Sequence, residues 1–349
     1  MKILITGGAG YIASHTNVEL LKENYELVLV DNFCNSVYES IARVENIAGK
    51  KVKFYEADLR DFEAIDKVFH AEKDIYAVIH FAALKAVGES VEKPLEYYEN
   101  NISGSLNLYK AMKIHGVKNF VFSSSATVYG DPEEVPVKET ARIGATNPYG
   151  HTKAMMEQIL LDAAKSYGWN VVILRYFNPV GAHDSGLIGE DPEYPNNLLP
   201  FVSQVAAGIR EKVVVFGNDW NTPDGTGVRD YIHVVDLAKA HVKAIEKLKN
   251  NSGTFIYNIG TGRGYSVLEM IRAFSKACGH DVPFVVGPRR SGDVAEVLAD
   301  PAKAEKELGY KAELGLDEMV SSAWKWQKLN PKGYKKLTSY FVDRITQKV

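Results

Sequence analysis

Short apolar runs alternate with longer amphipathic stretches over the first half of the chain. The apolar runs predict strands over residues 2–6, 26–31, 52–56, 77–81, 119–123 and 170–176. The stretches between them predict helices over residues 11–22, 40–48, 62–69, 94–115 and 149–167. Strands that are apolar on both faces are typical of a parallel sheet covered by helices on both sides. The alternation therefore predicts an α/β fold with a doubly wound parallel sheet of the Rossmann type.

This rhythm breaks after residue 176. Residues 178–228 are rich in Pro, Gly, Asn and Asp, and this composition predicts irregular chain. Farther on, residues 234–248 have the pattern of a helix and residues 255–259 that of a strand. The second half of the chain therefore predicts a smaller unit of mixed α/β structure.

These patterns predict two domains. We expect a Rossmann domain over residues 1–177 and a smaller mixed α/β domain over residues 178–349. Residues 229–263 carry one predicted helix and one predicted strand, so this segment could instead pack back on the first domain. The last residues add apolar side chains at positions 337, 341 and 345, which predict a short amphipathic helix.

Charge and apolar length narrow the classes of function. The 349 residues include 41 Lys and Arg against 44 Asp and Glu, which gives a net charge of −3. This balance leaves no broad cationic surface for nucleic acid or anionic lipid, so we expect neither partner. The first apolar run is too short for a signal-peptide core, and no apolar stretch has the length of a membrane span.

The cysteines and histidines bear on disulfides, the cellular compartment and metal binding. Cys34 and Cys278 are the two cysteines, and they lie far apart in the sequence. This spacing excludes a disulfide framework and suits a reducing, cytoplasmic compartment. The histidines show no metal-ligand spacing, so we expect no metal site.

A glycine-rich turn follows the first predicted strand. Gly7, Gly10 and Ala13 are spaced so that a tight turn, a close ligand and close helix–strand packing are all sterically allowed. N–H groups at the start of the following helix suit a pyrophosphate. Asp31 ends the second predicted strand, where a carboxylate binds a ribose and repels a 2′-phosphate, which favours NAD over NADP. Asp58, after the third strand, is either a contact for the adenine end or a turn former.

A Ser, a Tyr and a Lys predict alcohol oxidation. Tyr149 and Lys153 lie four residues apart on one helix face, directly after the helix-start signal of Asn147 and Pro148. Ser125 lies near the end of the fifth predicted strand, at the ligand-binding edge of such sheets. Lowering a Tyr pKa by ~3 units takes ~4 kcal/mol, and an ammonium ~4 Å away supplies about that much at an effective dielectric of ~20. We therefore predict that Lys153, together with oxidised nicotinamide, makes Tyr149 a base while Ser125 hydrogen-bonds the reacting oxygen.

Ordered motifs extend this pattern over nearly the whole chain. They are GGAGYIASH (7–15), DNFCNS (31–36), HFAALKAVGES (80–90), PLEYYENN (94–101), FSSSATVYG (122–130), RYFNPVGAH (175–183), GTGVRDYIH (225–233) and RRSGD (289–293). On these motifs, residues 1–334 resemble the extended short-chain dehydrogenase/reductase family and, within it, the enzymes that epimerise UDP-hexoses at C4. The resemblance implies NAD as cofactor and interconversion of UDP-galactose and UDP-glucose through a transient 4-keto sugar. It also implies a homodimer formed through the helices over residues 94–115 and 149–167.

The resemblance also implies roles for individual residues. NAD would be surrounded by Gly7, Gly10, Tyr11, Ile12, Asp31, Asn32, Phe33, Cys34, Asn35, Ser36, Asp58, Leu59, Phe81, Ala82, Ala83, Lys85, Asn100 and Phe177. Ser125, Tyr149 and Lys153 would be catalytic, and the UDP moiety would be held by Asn178, Asn197, Leu198, Phe216, Arg229, Arg290 and Asp293. The two arginines agree with this, because guanidinium groups form forked hydrogen bonds to a diphosphate.

One position bears on the range of substrates. Val297 lies four residues after Asp293, where the family has a wall of the sugar pocket. In the family, a bulky Tyr there goes with unsubstituted hexoses, and a small residue goes with tolerance of an N-acetyl group. The resemblance therefore implies that the N-acetylhexosamine pair is also interconverted, unless neighbouring side chains fill the gap.

Three other interpretations stay open on the sequence. A 4,6-dehydratase or decarboxylase belongs to the same superfamily, but a dehydratase has an Asp-Glu pair where this chain has Ala126 and Thr127. A non-catalytic NAD-sensing protein would be expected to lose Tyr149 or Lys153, and both are present. An ordinary alcohol dehydrogenase with exchangeable NAD would leave the pair of arginines unexplained.

Overall fold

The computed structural model describes residues 1–192, 194–290 and 293–336. The strands are β1 (Lys2–Thr6), β2 (Glu26–Asp31), β3 (Lys53–Glu56), β4 (Ile75–His80), β5 (Asn119–Ser125), β6 (Asn170–Tyr176), β7 (Asn178–Val180), β8 (Val213–Phe216), β9 (Val228–His233), β10 (Thr254–Ile259), β11 (Gly264–Ser266), β12 (Phe284–Gly287) and β13 (Glu296–Val297). The helices are α1 (Tyr11–Lys22), α2 (Tyr38–Ala48), α3 (Phe62–Ala71), α4 (Val87–Glu92), α5 (Pro94–Tyr98), α6 (Gly104–Ile114), α7 (Pro148–Tyr167), α8 (Leu198–Ala206), α9 (Val234–Asn250), α10 (Val267–Cys278), α11 (Ala302–Leu308) and α12 (Leu316–Leu329). The helix expected through positions 337, 341 and 345 lies outside the described residues.

Seven parallel strands form the central sheet in the order β10-β6-β5-β4-β1-β2-β3. The chain crosses from one half of the sheet to the other between β3 and β4, so β1 and β4 are neighbours. In open α/β sheets, ligands bind in the crevice at the carboxyl ends of such neighbouring strands. The doubly wound parallel sheet predicted from the sequence is confirmed.

Both faces of this sheet are buried, as β1 illustrates. Ile3 and Ile5 pack into the apolar cluster that includes Val18 of α1. Leu4 points to the opposite face and packs into the cluster that includes Leu108 of α6. Each of these strand residues is at most 1% exposed, and full burial of such a side chain contributes roughly 1.5–3 kcal/mol. The strands can therefore be apolar at successive positions, because helices cover both faces.

The helix predicted over residues 94–115 is interrupted. Helix α5 leads into a π-helical turn, Glu99–Ser103, before α6 begins. Within this turn, the Asn101 Oδ1 accepts a 2.8 Å hydrogen bond from the Leu84 N–H, and its Nδ2 donates to the Leu84 carbonyl at 3.0 Å. The wider turn therefore ties the helix to the loop that follows β4.

Residues 178–228 are more regular than predicted. They contain β7, α8 and β8, so the expectation of irregular chain is wrong for these elements. β9 lies between β11 and β13 in a small mixed sheet and also pairs with β7, while β8 pairs with β12. Helices α8, α10 and α12 cover this region through Val202, Met270 and Met319. β7 and β8 were missed because they have three and four residues and so carry little periodicity. α8 was missed because Pro200 and the Pro- and Asn-rich residues before it suggested irregular chain.

The chain then returns to the central sheet. β10 is an edge strand beside β6, and α9 packs against α1. The segment 229–263 therefore contributes β9 to the small sheet and β10 to the central sheet. The domain division at residue 177 stays a prediction. Within the described ranges, no helix combines the length and apolarity that a membrane crossing requires.

Candidate active site

A cavity of about 680 Å³ lies at the carboxyl ends of the central strands and extends to the small sheet. Its lining comes from the segments that follow β1, β2, β4 and β5, and from α7, β7, α8, β8 and β9. The lining includes every site residue predicted from the sequence except Phe33, Ser36 and Val297. Residues scattered along the chain are therefore brought to one place.

The glycine-rich turn between β1 and α1 leaves no space for a side chain at Gly7. Gly7 has a φ of +67°, and a Cβ built on it would lie 2.7 Å from the Ala82 backbone nitrogen. Gly10 precedes α1, and no side chain caps this helix. The first N–H groups of α1 are therefore available at the cavity, where Tyr11, Ile12 and Ala13 line the wall. This arrangement fits the pyrophosphate of a dinucleotide.

Asp31 is held in place by its neighbours. One carboxylate oxygen accepts a hydrogen bond from the Ala9 N–H at 3.0 Å, and the other accepts from the Phe33 N–H at 2.9 Å and the Ser36 hydroxyl at 2.8 Å. A carboxylate has about four acceptor positions, so this count leaves one for a ribose hydroxyl. Phe33 and Ser36 do not line the cavity; they orient the carboxylate that does.

Asp58 is more fully engaged than Asp31. Its carboxylate accepts three hydrogen bonds from Arg60 and one from Asn32, at 2.8 to 3.0 Å. The Arg60 hydrogen bonds are the main reason that its pKa falls to about 2. All four acceptor positions of the carboxylate are thus taken, three by Arg60 in the same turn and one by Asn32, which follows β2. Of the two roles that the sequence leaves open, this geometry favours the turn former.

Ser125 and Tyr149 are brought together by two tight turns. Ser125 ends β5 and precedes a single 3-10 turn, and its Oγ accepts hydrogen bonds from the N–H and the hydroxyl of Thr127 at 3.2 and 2.9 Å. Helix α7 begins after Asn147, whose Oδ1 accepts from the Gly150 N–H at 2.9 Å. A Cβ on Gly150 would lie 2.9 Å from the Thr127 carbonyl oxygen. Gly150 therefore lets the first turn of α7, with Tyr149, approach the Ser125 turn.

Lys153 is buried beneath Tyr149. Its side chain reaches β5, where Nζ donates a 2.6 Å hydrogen bond to the Ser123 carbonyl and lies 5.9 Å from the centre of the Tyr149 ring. Burial lowers the pKa of Lys153 to about 7, and the nearby Glu157 carboxylate opposes this change. Ser125, Tyr149 and Lys153 are the three residues predicted to be catalytic, and the part of the cavity that they form is called the catalytic end on that basis.

The pKa of Tyr149 differs from the sequence-based expectation. Burial raises this pKa to about 12, and the Ser125 hydroxyl only partly offsets the rise. Lys153 does not reverse it, because Nζ lies nearly 6 Å from the ring centre and burial also disfavours the charged ammonium. A tyrosinate near neutral pH therefore requires positive charge beyond that of Lys153.

A buried ion pair supports the catalytic end, and sequence reasoning missed it. Arg175 Nη2 lies 2.6 Å from the Glu157 carboxylate. The Glu157 side chain is 5% exposed and the Arg175 side chain is 4% exposed. Ser124 donates its hydroxyl to the same carboxylate, and Arg175 also donates to the Tyr129 hydroxyl at 2.8 Å. The pair therefore joins β5, α7 and β6 directly behind Ser125. The available sequence signal was the spacing of Glu157, one helical turn after Lys153.

Arg229, Arg290 and Asp293 form the opposite part of the cavity, called below the arginine end. Asp293 Oδ1 lies 2.8 Å from Arg290 Nη2 and 3.7 Å from Arg229 Nη2. The Arg290 guanidinium lies 5.7 Å from the centre of the Phe216 ring. Burial lowers the pKa of Arg229, and the Asp293 carboxylate opposes this effect. Two guanidinium groups and one aromatic ring thus lie close together, which suits a nucleoside diphosphate.

Two further placements bear on the predicted set. Glu190 was not predicted, yet its Oε1 accepts hydrogen bonds of 3.0 Å from both Lys85 and Asn197. It therefore links a residue of the predicted NAD set to one of the predicted UDP set.

Val297 is the predicted substrate-binding residue that does not line the cavity. It pairs with Arg229 across the small sheet and packs against a cluster that includes Phe177, so it lies behind the cavity lining.

Known proteins match the chain over most of its length. Residues 3–260 match the model of the NAD dependent epimerase/dehydratase family. The UDP-glucose 4-epimerase of Bacillus subtilis is 60% identical over 337 residues, covering 96% of this chain and 99% of that protein. The UDP-glucose 4-epimerase of Homo sapiens is 55% identical over 342 residues, covering 95% and 98%.

Solved structures agree with this result. The UDP-glucose 4-epimerase of Bifidobacterium longum, crystallised with NAD+ and UDP, has a TM-score of 0.92 and 55% identity, covering 95% of this chain and all of that one. The UDP-Glc/GlcNAc 4-epimerase of Campylobacter jejuni has a TM-score of 0.83 and 39% identity, covering 94% and 99%. The predicted family is confirmed: this chain belongs to the NAD dependent epimerase/dehydratase family.

Proposed function

We propose that this chain is an isomerase that uses NAD to invert C4 of UDP-hexoses, interconverting UDP-galactose and UDP-glucose through a transient 4-keto sugar. The observation that carries the proposal is the shared cavity. It joins a dinucleotide turn, the catalytic end and the arginine end in one continuous space. The activity of relatives that are 55–60% identical over nearly the whole chain supports the same reaction.

The chain's own residues move one proton and hold the reacting oxygen. Bound NAD supplies reversible acceptance and return of a hydride. Tyr149 takes the proton of the sugar 4-hydroxyl and later returns it, which requires a lowered phenol pKa. Lys153 contributes positive charge below the Tyr149 ring, and Ser125 donates a hydrogen bond to the reacting oxygen. These roles remain our proposal for the three residues.

The arginine end explains how both sugar faces can be presented. Arg229 and Arg290 would hold the diphosphate through charged hydrogen bonds, while Phe216 would contact the nucleoside. Binding energy is then concentrated on UDP, and the sugar is held loosely. A loosely held 4-keto sugar can turn over before the hydride returns to C4 and the proton returns to the oxygen on that carbon.

Two alternatives are weaker on this structure. The 3-10 turn directly after Ser125 carries Ala126 and Thr127, so the acid pair expected of a dehydratase is missing there. A non-catalytic NAD sensor would have no use for the aligned Ser125, Tyr149 and Lys153. The reaction itself separates these possibilities.

Product analysis tests the proposed reaction. We would incubate the purified chain with UDP-galactose and excess NAD and identify products by NMR. UDP-glucose is the expected product, at an equilibrium independent of the starting isomer. A 4-keto-6-deoxy sugar would indicate a dehydratase. Unchanged UDP-galactose, which is also what a decarboxylase would leave because this sugar has no carboxyl group, would contradict the proposal.

We further propose that the chain acts on the N-acetylhexosamine pair. Val297 pairs with Arg229 and lies behind the cavity lining, so its small side chain adds no bulk to the cavity wall at this position. The Campylobacter jejuni relative carries both substrate types in its name. Absence of turnover of UDP-N-acetylgalactosamine by a chain that is active on UDP-galactose would contradict this extension.

We propose a homodimer in the cytoplasm as the working form. Val91, Leu95 and Met155 of α4, α5 and α7 are 62%, 81% and 46% exposed, a concentration of apolar surface typical of an interface. Cys34 and Cys278 are free thiols, which suits a reducing compartment. In sedimentation velocity, we expect a dimer that Leu95→Glu converts to a monomer. A wild-type monomer, or recovery of the chain outside the cytoplasmic fraction of cells, would contradict these points.

A further inference from the structure

Three potential metal ligands meet on the surface away from the cavity. Asp66 and His70 lie on α3, and His115 follows the last residue of α6. One donor atom from each side chain lies within 4.8 Å of the other two. None of the three residues lines the active-site cavity. The proposed epimerisation gives this cluster no role.

The donors converge on the Asp66 carboxylate. His115 Nε2 lies 2.8 Å from Asp66 Oδ1, and His70 Nδ1 lies 3.4 Å from Asp66 Oδ2. The two imidazole rings are nearly perpendicular, with centres 4.7 Å apart. In a tetrahedral zinc site with bonds of about 2.0–2.2 Å, neighbouring ligand atoms are about 3.3–3.6 Å apart. Small side-chain rotations would therefore bring all three donors to one ion.

The surroundings of the cluster favour a cation. His70 lies in the last turn of α3 and His115 is the C-terminal cap of α6, so the carbonyl ends of both helices point toward the site. The His115 ring stacks on Phe69 with centres 5.5 Å apart, which fixes its orientation. Lys113 is a cationic residue on α6, but its ammonium lies 4.2 Å from the centre of the Tyr167 ring and is therefore engaged away from the three ligands.

The cluster is also accessible. The side chains of His70, Asp66 and His115 are 68%, 27% and 18% exposed. An ion could enter from solvent, and water could complete its coordination. Two imidazole nitrogens and one carboxylate oxygen are donors that suit Zn²⁺ better than Mg²⁺ or Ca²⁺.

We propose that Asp66, His70 and His115 form a zinc-binding site that joins the C-terminal ends of α3 and α6. The sequence did not predict this site, because its third ligand is distant from the other two along the chain. The site tethers two helices on one face of the central sheet. Its occupancy therefore stabilises the fold, and epimerisation continues without it.

Calorimetric titration of the untagged, metal-free chain with ZnCl₂ tests the site. We expect one equivalent to bind per chain, with a rise in the thermal unfolding midpoint. His70→Ala, an exposed change that cannot disturb the core, should reduce the affinity by at least tenfold and abolish the thermal shift. His115→Ala should do the same, whereas His280→Ala, an exposed histidine elsewhere, should bind like the wild type.

The outcomes are decisive in both directions. No binding to the wild-type chain, or binding that persists in both His70→Ala and His115→Ala, would overturn the proposal. Turnover of UDP-galactose by each variant confirms that it is folded. A loss of turnover in His70→Ala, without loss of folding, would contradict the separation of this site from the active site.

Discussion

Lys153, at the catalytic end, is 3% exposed and donates to a main-chain carbonyl, whereas Arg290, at the arginine end, has a side chain that is 59% exposed and pairs with Asp293. The position of Lys153 is set by β5 and α7, and no ligand is required to hold it there. The arginine end consists of charges that satisfy one another. The comparison indicates that the groups proposed to be catalytic are held in place before the substrate binds, while the groups proposed to bind UDP must exchange partners when it arrives.

The energies of the two regions differ accordingly. An exposed ion pair such as Arg290–Asp293 is worth about 0–1 kcal/mol, so a diphosphate can replace Asp293 at little cost. Breaking a buried pair such as Glu157–Arg175 by removing one partner costs about 3–5 kcal/mol. Substitutions should therefore change turnover and stability at the catalytic end, and affinity at the arginine end.

The largest effect is expected for Tyr149→Phe. Removing the phenol hydroxyl deletes the proposed proton acceptor, so kcat should fall about 10²–10⁴-fold. UDP affinity, measured by calorimetry, should stay within about twofold, since the arginine end is unchanged. Full activity in this variant would remove Tyr149 from the mechanism.

The second-largest effect is expected for Glu157→Gln, which should lower the free energy of unfolding and shift the pH profile of turnover. Gln keeps the shape but removes the charge opposite Arg175, so we expect a loss of about 3 kcal/mol in urea unfolding. Removing a carboxylate near Lys153 also lowers the pKa of its ammonium below about 7. If turnover uses that ammonium, the alkaline limb of the pH profile moves to lower pH.

A matched surface substitution controls this result. Glu246 pairs with Lys243 at 2.8 Å, but both side chains are more than 40% exposed. Glu246→Gln should change stability by less than about 0.5 kcal/mol and leave the pH profile unchanged. Equal effects of the two Glu→Gln changes would show that Glu157 has no special positioning role.

Substitutions at the arginine end should change the affinity for UDP. Arg229→Ala should weaken UDP binding about 10–100-fold, because a charged hydrogen bond contributes about 1.5–3 kcal/mol. Arg290→Ala should weaken it less, since its side chain is 59% exposed and Arg229's is 20% exposed. Calorimetry with UDP alone measures both. A larger effect on kcat than on UDP affinity would contradict the division between the two ends.

The smallest effect on UDP-galactose turnover is expected for Val297→Tyr. The larger ring exceeds the space that Val297 fills behind the cavity lining, so it would extend into the cavity beside Arg229, and turnover of UDP-N-acetylgalactosamine should fall at least tenfold. Turnover of UDP-galactose should change less than about threefold. Equal changes for both substrates would mean that Val297 does not control access of the N-acetyl group.

The sequence predicted elements best where local pattern and packing agree. β1, β2 and β6 have the predicted bounds because each is a short, continuous apolar run, and α1 has the predicted bounds because the glycine-rich turn fixes where it begins. The glycine turn was predictable too, since the backbone approach at Gly7 excludes any side chain. The catalytic end could be located from strand and helix termini alone.

Features that depend on long-range contacts were not predictable. The π-turn at Asn101 exists where the helix meets Leu84, which no local period encodes. The Glu157–Arg175 pair requires α7 and β6 to be neighbours. Asp58 could not be interpreted without the hydrogen bonds that Arg60 donates to its oxygens. The meeting of α3 and α6 at His115 depends on both helices packing against the same face of the central sheet.

Turnover without added cofactor tests the central claim most directly. The claim is that one cavity oxidises and then reduces the same sugar carbon, so NAD is regenerated in each cycle. Purified chain incubated with UDP-galactose alone should form UDP-glucose while no NADH absorbance accumulates. A strict need for added NAD in amounts equal to the product, or NADH that accumulates with turnover, would contradict it.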